Sequence, residues 1–247
     1  MMTLSVFMTI GFAPALGDNR MSPPSLRRQP HGGAVITATS LARSATTGAD
    51  GVYTFDGTDI VGHTAYPIKV EATGYTSTSI MVNVSDSNVP AGSSADVFLS
   101  PTVSPGEFRF VLRWGAQPRD LDSHLLFSTA DGGCEVLFSS KACGATGGLS
   151  ATLDQDRTTG YGPETISIVD TSVAKGDLTH FVYIYAGDPT AFLGKANVQL
   201  YGSTGLLAQL TVAPSSAGRY WETWKLRADG SFETVNAVTS SKPSPAA

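Results

Sequence analysis

The sequence predicts an all-β protein made of two tandem β-sandwiches, the second larger than the first. Three observations carry this. Apolar and polar residues alternate along many short segments, the period that sets one face of a strand against a core. The 247 residues include 26 Gly and 14 Pro, and charged residues are held to 15%, a mix that suits strands joined by turns rather than long surface helices. No segment sustains the apolar spacing of an amphipathic helix.

The elements follow in chain order. Leu4 to Phe12 is apolar and leads into Ala13-Pro14-Ala15-Leu16-Gly17. That pattern reads as a secretory leader over 1–17, although Met1-Met2-Thr3 lacks a basic residue. The other reading makes the segment an ordinary strand. Residues 18–33 read as a linker, with consecutive prolines and no periodicity. A first sandwich is expected over 34–103, with strand signals at Ala34–Thr39, Val52–Phe55, Tyr66–Ala72, Ile80–Val84 and Val97–Leu99. Pro101-Thr102-Val103-Ser104-Pro105-Gly106 punctuates the chain. A second sandwich over 104–238, of jelly-roll type, accounts for a further set of about nine or ten strands, the last two flanking the hairpin signal Asp229-Gly230. The Pro/Ser/Ala-rich tail, 239–247, is expected to fray.

Composition narrows the function. Sixteen basic residues against 21 acidic ones, a net charge of −5, argue against a nucleic-acid partner. No apolar run reaches the roughly 18 residues of a spanning helix. Cys134 and Cys143 are the two cysteines. A hairpin would bring them together, and a disulfide closing a loop of about ten residues would contribute about 2.5–3 kcal/mol in the chain-entropy account. The alternative is a pair of free thiols; zinc is poorly served by this spacing with no His between them. Asn83-Val84-Ser85 is a single glycosylation sequon.

Two resemblances follow from motifs. Gly33-Ala34-Val35-Ile36-Thr37-Ala38, then Asp50-Gly51-Val52-Tyr53-Thr54-Phe55, then Ala72-Thr73-Gly74-Tyr75 resemble the carboxypeptidase regulatory-like (transthyretin-like) fold. The resemblance implies a passive spacer or stabilising role for this part. The opening strand of that family is not matched by 18–33, so either it is missing or residues 1–16 supply it. Trp114-Gly115-Ala116-Gln117-Pro118-Arg119-Asp120-Leu121-Asp122-Ser123-His124-Leu125, with Leu153-Asp154-Gln155-Asp156 and Gly160-Tyr161-Gly162-Pro163-Glu164, resembles the YfaP-type secreted domain. This implies a secreted context and no settled activity.

The acidic residues suggest a site on their own chemistry. Asp120, Asp122 and His124 are spaced by two, so on a strand they share a face. Asp154 and Asp156 do the same, and Glu164 follows a Gly-Tyr-Gly-Pro turn. Converging carboxylates repel and call for a cation or an arginine. An all-oxygen set favours Ca²⁺. The competing reading makes these acids turn formers, or neutralises them with Arg113, Arg119 and Arg157. No nucleophile–base pair can be named, so a non-enzymatic protein is expected.

The expected function is therefore a secreted or cell-surface structural or adhesive module. Its partners would be extracellular proteins, glycans or further copies of itself. The alternative is a calcium-dependent carbohydrate-binding module using Trp221, Trp224 and Tyr161. Trp221 and Trp224 are three apart, which on a regular strand puts them on opposite faces, one more exposed than the other; the competing and preferred reading makes both ordinary sandwich packing.

Overall fold

The computed structural model describes residues 3–10, 29–30, 32–56, 64–84, 97–129, 131–145, 148–171, 176–188, 196–212 and 218–244. Among them the regular structure is β-strand, apart from a 3₁₀ turn at Thr39–Leu41 and 3₁₀ geometry at Thr171. The chain divides into two compact units, Met1–Thr102 and Val103–Ala247.

The first unit contains β1 (Thr3–Ile10), β2 (Gln29–Pro30), β3 (Val35–Ala38), β4 (Arg43–Thr46), β5 (Val52–Asp56), β6 (Thr64–Glu71), β7 (Thr78–Val84) and β8 (Val97–Leu99). One sheet runs β2-β1-β5 with β8 added parallel to β1, and the other runs β4-β3-β6-β7. The apolar run near the N-terminus thus lies in a sheet as β1, paired with β5 from Thr3↔Asp56 to Phe7↔Val52, as in the strand reading of that segment. Most of the 18–33 stretch is outside the described residues, and so is Ser85 of the sequon. The alternation read in the sequence becomes a core. Ile36, Ile68, Val70 and Val82 are fully buried, and Tyr53 and Phe55 point the same way on β5, with ring centroids 5.6 Å apart. The turn into β5 closes through Gly51 in the left-handed region (φ 72°), while Asp50 Oδ1 accepts the Val52 amide at 3.0 Å.

The second unit contains β9 (Phe108–Arg113), β10 (Asp120–Thr129), β11 (Gly132–Val136), β12 (Ala142–Gly144), β13 (Ser150–Leu153), β14 (Glu164–Val169), β15 (Leu178–Ala186), β16 (Asn197–Gly202), β17 (Gly205–Thr211), β18 (Tyr220–Leu226) and β19 (Phe232–Thr239). A five-stranded sheet, β11-β10-β15-β18-β19, faces a six-stranded one, β12-β13-β14-β9-β16-β17. The topology departs from the expected jelly roll, an eight-stranded pair of Greek keys. Here β10/β11, β12/β13/β14, β16/β17 and β18/β19 pair with their sequence neighbours, through short turns that favour hairpins within a sheet except at β13/β14, which the longer 154–163 loop joins.

The core between these sheets takes Phe110 and Leu112 from β9, Leu121, Leu125 and Phe127 from β10, and Val182 and Ile184 from β15. Trp221 and Trp224 join them, both fully buried. Both indoles are thus ordinary sandwich packing, and the difference in exposure that a regular strand would give them is absent. Register shifts at Glu222/Trp224 against β19 and at His180/Phe181 against β15 mark a bulge, which inserts Thr223 and turns both indoles inward.

Cys134 and Cys143 form a disulfide with Cα atoms 5.7 Å apart. The two strands are not a hairpin pair, as the sequence suggested. β11 lies at the edge of the five-stranded sheet and β12 at the edge of the six-stranded sheet, so the bond staples the two layers. The described part of the tail is also held, with Lys242 Nζ donating to Glu135 Oε2 at 2.6 Å; residues 245–247 lie outside the described residues.

Candidate metal centre

The site grows from a mismatch of strand lengths. β10 starts at Asp120, but β11 pairs with it only from Leu125 onward. Residues 120–124 therefore pair with β15 on one side and, among the described residues, have no strand on the other. The Glu164 carboxylate, at the start of β14 in the facing sheet, fills part of that gap. Its Oε2 accepts the Ser123 amide at 2.8 Å, and its Oε1 accepts the Arg157 amide at 3.0 Å. Burial pushes the Glu164 carboxyl well above the usual range, against those two hydrogen bonds.

On the face of β10 opposite the core stand Asp120, Asp122 and His124. The loop from β13 to β14 brings up Asp156. Oxygens of Asp120, Asp122 and Asp156 lie within 4.8 Å of one another. Asp120 Oδ1, Asp122 Oδ2 and Asp156 Oδ1 are buried without a hydrogen-bond partner among the described residues. Asp120 and Asp122 are each 2% exposed. Burial, then the charges of Asp120 and Asp156, push the Asp122 carboxyl up to about 7. Burial and Asp156 raise Asp120 as well, opposed by Arg119.

The loop is shaped to present Asp156. Asp154 Oδ1 accepts the Gln155 amide at 2.6 Å and the Thr165 amide at 2.8 Å, which fixes the exit from β13. Gly162 (φ 44°) lies over Trp114, where a Cβ would come within 2.9 Å of the indole. Between Gly160 and Gly162, Tyr161 adopts φ 66° and is 59% exposed.

Of the five acids read from the sequence, the structure therefore gathers Asp120, Asp122 and Asp156. It ties Asp154 and Glu164 to backbone amides. Of the three aromatics, Trp221 and Trp224 are inside the core and cannot stack on a ligand, and Tyr161 is on the surface. His124 is not aimed at the three acids through its Nδ1, which meets Glu135 Oε1 at 2.9 Å, while its ring stacks on Phe181.

One polar group went unread in the sequence. His180 is fully buried, stacked on Phe110 at 4.2 Å. Thr223 donates its hydroxyl proton to the His180 carbonyl, so His180 Nδ1 donates to Thr223 Oγ1 (2.7 Å) and Nε2 accepts from Ser123 Oγ (2.9 Å). Burial lowers this imidazole to about 3, keeping it neutral. Ser123 and His180 have the partners of a nucleophile–base pair, but both are fully buried and meet no solvent. Three residues from three strands make the network, a constellation without a local sequence signal.

No family model matches the chain, and no curated protein matches it. Among solved structures, a protein of unknown function, SAV2460, is similar at 15% identity, covering 56% of this chain and 92% of that one with a TM-score of 0.42. A homologue of telluride resistance protein TerD from Streptomyces coelicolor A3(2) is similar at 15% identity, covering 57% and 94% with a TM-score of 0.40. A type II cohesin–X-dockerin complex from Acetivibrio cellulolyticus matches at 14% identity, covering 41% and 58% with a TM-score of 0.28. None of these assigns the chain to a family.

Proposed function

We propose that this chain is a non-catalytic, secreted or surface module whose second unit holds Ca²⁺ through Asp120, Asp122 and Asp156, in a structural or adhesive role. The observation behind the reading is the convergence of three buried carboxylate oxygens that lack partners. Such oxygens cost free energy unless a charge of the opposite sign joins them. An all-oxygen donor set suits a hard cation, and ligands beyond the three would come from water or a partner. The disulfide supports an oxidising compartment. Among the described residues no helix is long and apolar enough to cross a membrane.

The test is thermal melting of the whole chain in millimolar Ca²⁺ and in chelator, with metal analysis of the protein as purified. Ca²⁺ should raise the melting temperature, and Asp122→Asn should remove the shift. Identical melting in both conditions, with no metal found in the protein, overturns the reading.

A second reading, calcium-dependent carbohydrate binding, is favoured by Tyr161. It is an exposed aromatic in a left-handed conformation on the loop that carries Asp156. Such strain at a loop tip is a recurring mark of ligand clamps. Polysaccharide pull-down that needs both Ca²⁺ and Tyr161 would establish it; retention that survives Tyr161→Ala would exclude it.

A further inference from the structure

We propose that β17 is a self-association edge, at which a second copy of this chain adds its own β17 antiparallel to the first across a two-fold axis. The proposal goes beyond the calcium reading and uses none of its residues.

A sheet edge exposes a row of unpaired backbone groups, and proteins ordinarily blunt it with charge, bulges or very short strands. Among the described residues the second unit has four edge strands, and three of them are blunted. β11 carries Glu135, engaged by His124 and Lys242, and its Cys134 is in the disulfide. β12 is three residues long and held by Cys143. β19 carries Glu233, paired with Arg227 at 2.8 Å, and bends at Asn236, whose φ is 47°.

β17 is different. From Ala196 to Gly218 the chain has no Asp, Glu, Lys, Arg or His, and β17 itself has no Pro. Among the described residues its hydrogen-bond partners all lie on β16. The Val212 amide donates to the Ala196 carbonyl, so the alternation of an antiparallel ladder turns the amides and carbonyls of Gln209 and Thr211 away from β16. The register shift at Leu200/Tyr201 confines the bulge to Leu207 and leaves Ala208–Thr211 as a regular outer edge. Leu206 adds a side chain that is 39% exposed.

The absence of charge selects the occupant. The chain as a whole carries −5 and repels its copies, yet this strand can lie against itself with no like charges opposed. A two-fold through Gln209 sets it opposite Gln209 of the partner subunit, with Leu210 facing Ala208 of the partner subunit. One short strand from each copy buries less than the roughly 1,000 Å² of a stable interface. The association is therefore weak and takes effect where copies are concentrated or tethered.

The experiment is sedimentation velocity of the full chain from micromolar to millimolar concentration, with amide exchange at both ends of the range. The wild type should move toward dimer as it is concentrated, and the amide of Gln209 should gain protection. The double variant Gln209→Lys/Thr211→Lys opposes like charges across the axis and should weaken association by at least about tenfold, with circular dichroism and melting temperature unchanged. Gln209→Glu serves as the second variant should the lysine pair disturb folding, and it should weaken association in the same direction. A chain that stays monomeric throughout, a dimer that both variants leave intact, or protection that appears elsewhere than β17 would each overturn the proposal.

Discussion

Asp122 stands on β10 with one carboxylate oxygen buried and unsatisfied, and its pH behaviour follows from that position. Its folded value, about 7, is above its unfolded value of 3.8, so in metal-free protein its contribution is fully present below 3.8 and is lost as pH rises through 7. Ca²⁺ competes with that proton. The calcium-induced rise in melting temperature should therefore be small at pH 5 and greatest at pH 8; at 100 times Kd it corresponds to about 2.7 kcal/mol. A shift that is equal at both pH values would show that Asp122 is not a ligand. His180 acts in the opposite sense. Its folded value, about 3, is below the unfolded 6.5, so the protein loses stability as pH falls below 6.5. In chelator, where no calcium stabilisation is lost with falling pH, His180→Gln should flatten that loss. The two buried indoles differ as well. Trp221 Nε1 donates to Asn236 Oδ1 at 2.8 Å, while Trp224 Nε1 has no partner among the described residues. Trp221→Phe gives up a hydrogen bond and Trp224→Phe does not, so urea melts should show the first to be costlier by about 1 kcal/mol.

At the scale of elements, the site exists because β10 outruns β11. Had β11 continued to oppose Asp122, a strand would fill the space that Glu164 and the 154–163 loop now occupy. The same two strands explain the disulfide. Joining the edges of opposite sheets, Cys134–Cys143 restrains a layer contact as well as a loop. Its cysteines are nine apart in sequence, which sets the loss on Cys134→Ser/Cys143→Ser at about 2.7 kcal/mol in the chain-entropy account. Calorimetry of the double variant should show a lower melting temperature, and an unchanged one would mean the staple adds nothing to packing that already exists.

At the scale of the whole molecule, each unit has its own buried apolar cluster. Residues 103–247 expressed alone should fold and keep the calcium shift of the full chain. Loss of the shift in a folded fragment would mean that the first unit supplies part of the site.

Much of this was legible in the chain. Alternation fixes which residues of β3, β6 and β9 face inward, because side chains on a strand alternate whatever the strand packs against. The Gly and Asp turns and the pair of cysteines are local signals too, and Asp120 and Asp122 share a face for the same reason. The tertiary structure alone decided the rest. It chose Asp156 over Asp154 as the third acid, because Asp154 is consumed by two backbone amides at the strand exit. It turned both Trp221 and Trp224 inward, because one inserted residue reverses the facing of everything beyond it. It set the cysteines in different sheets and assembled Ser123, His180 and Thr223 from three strands. Spacing along a chain records which residues share a strand face, and the register between strands settles which faces meet.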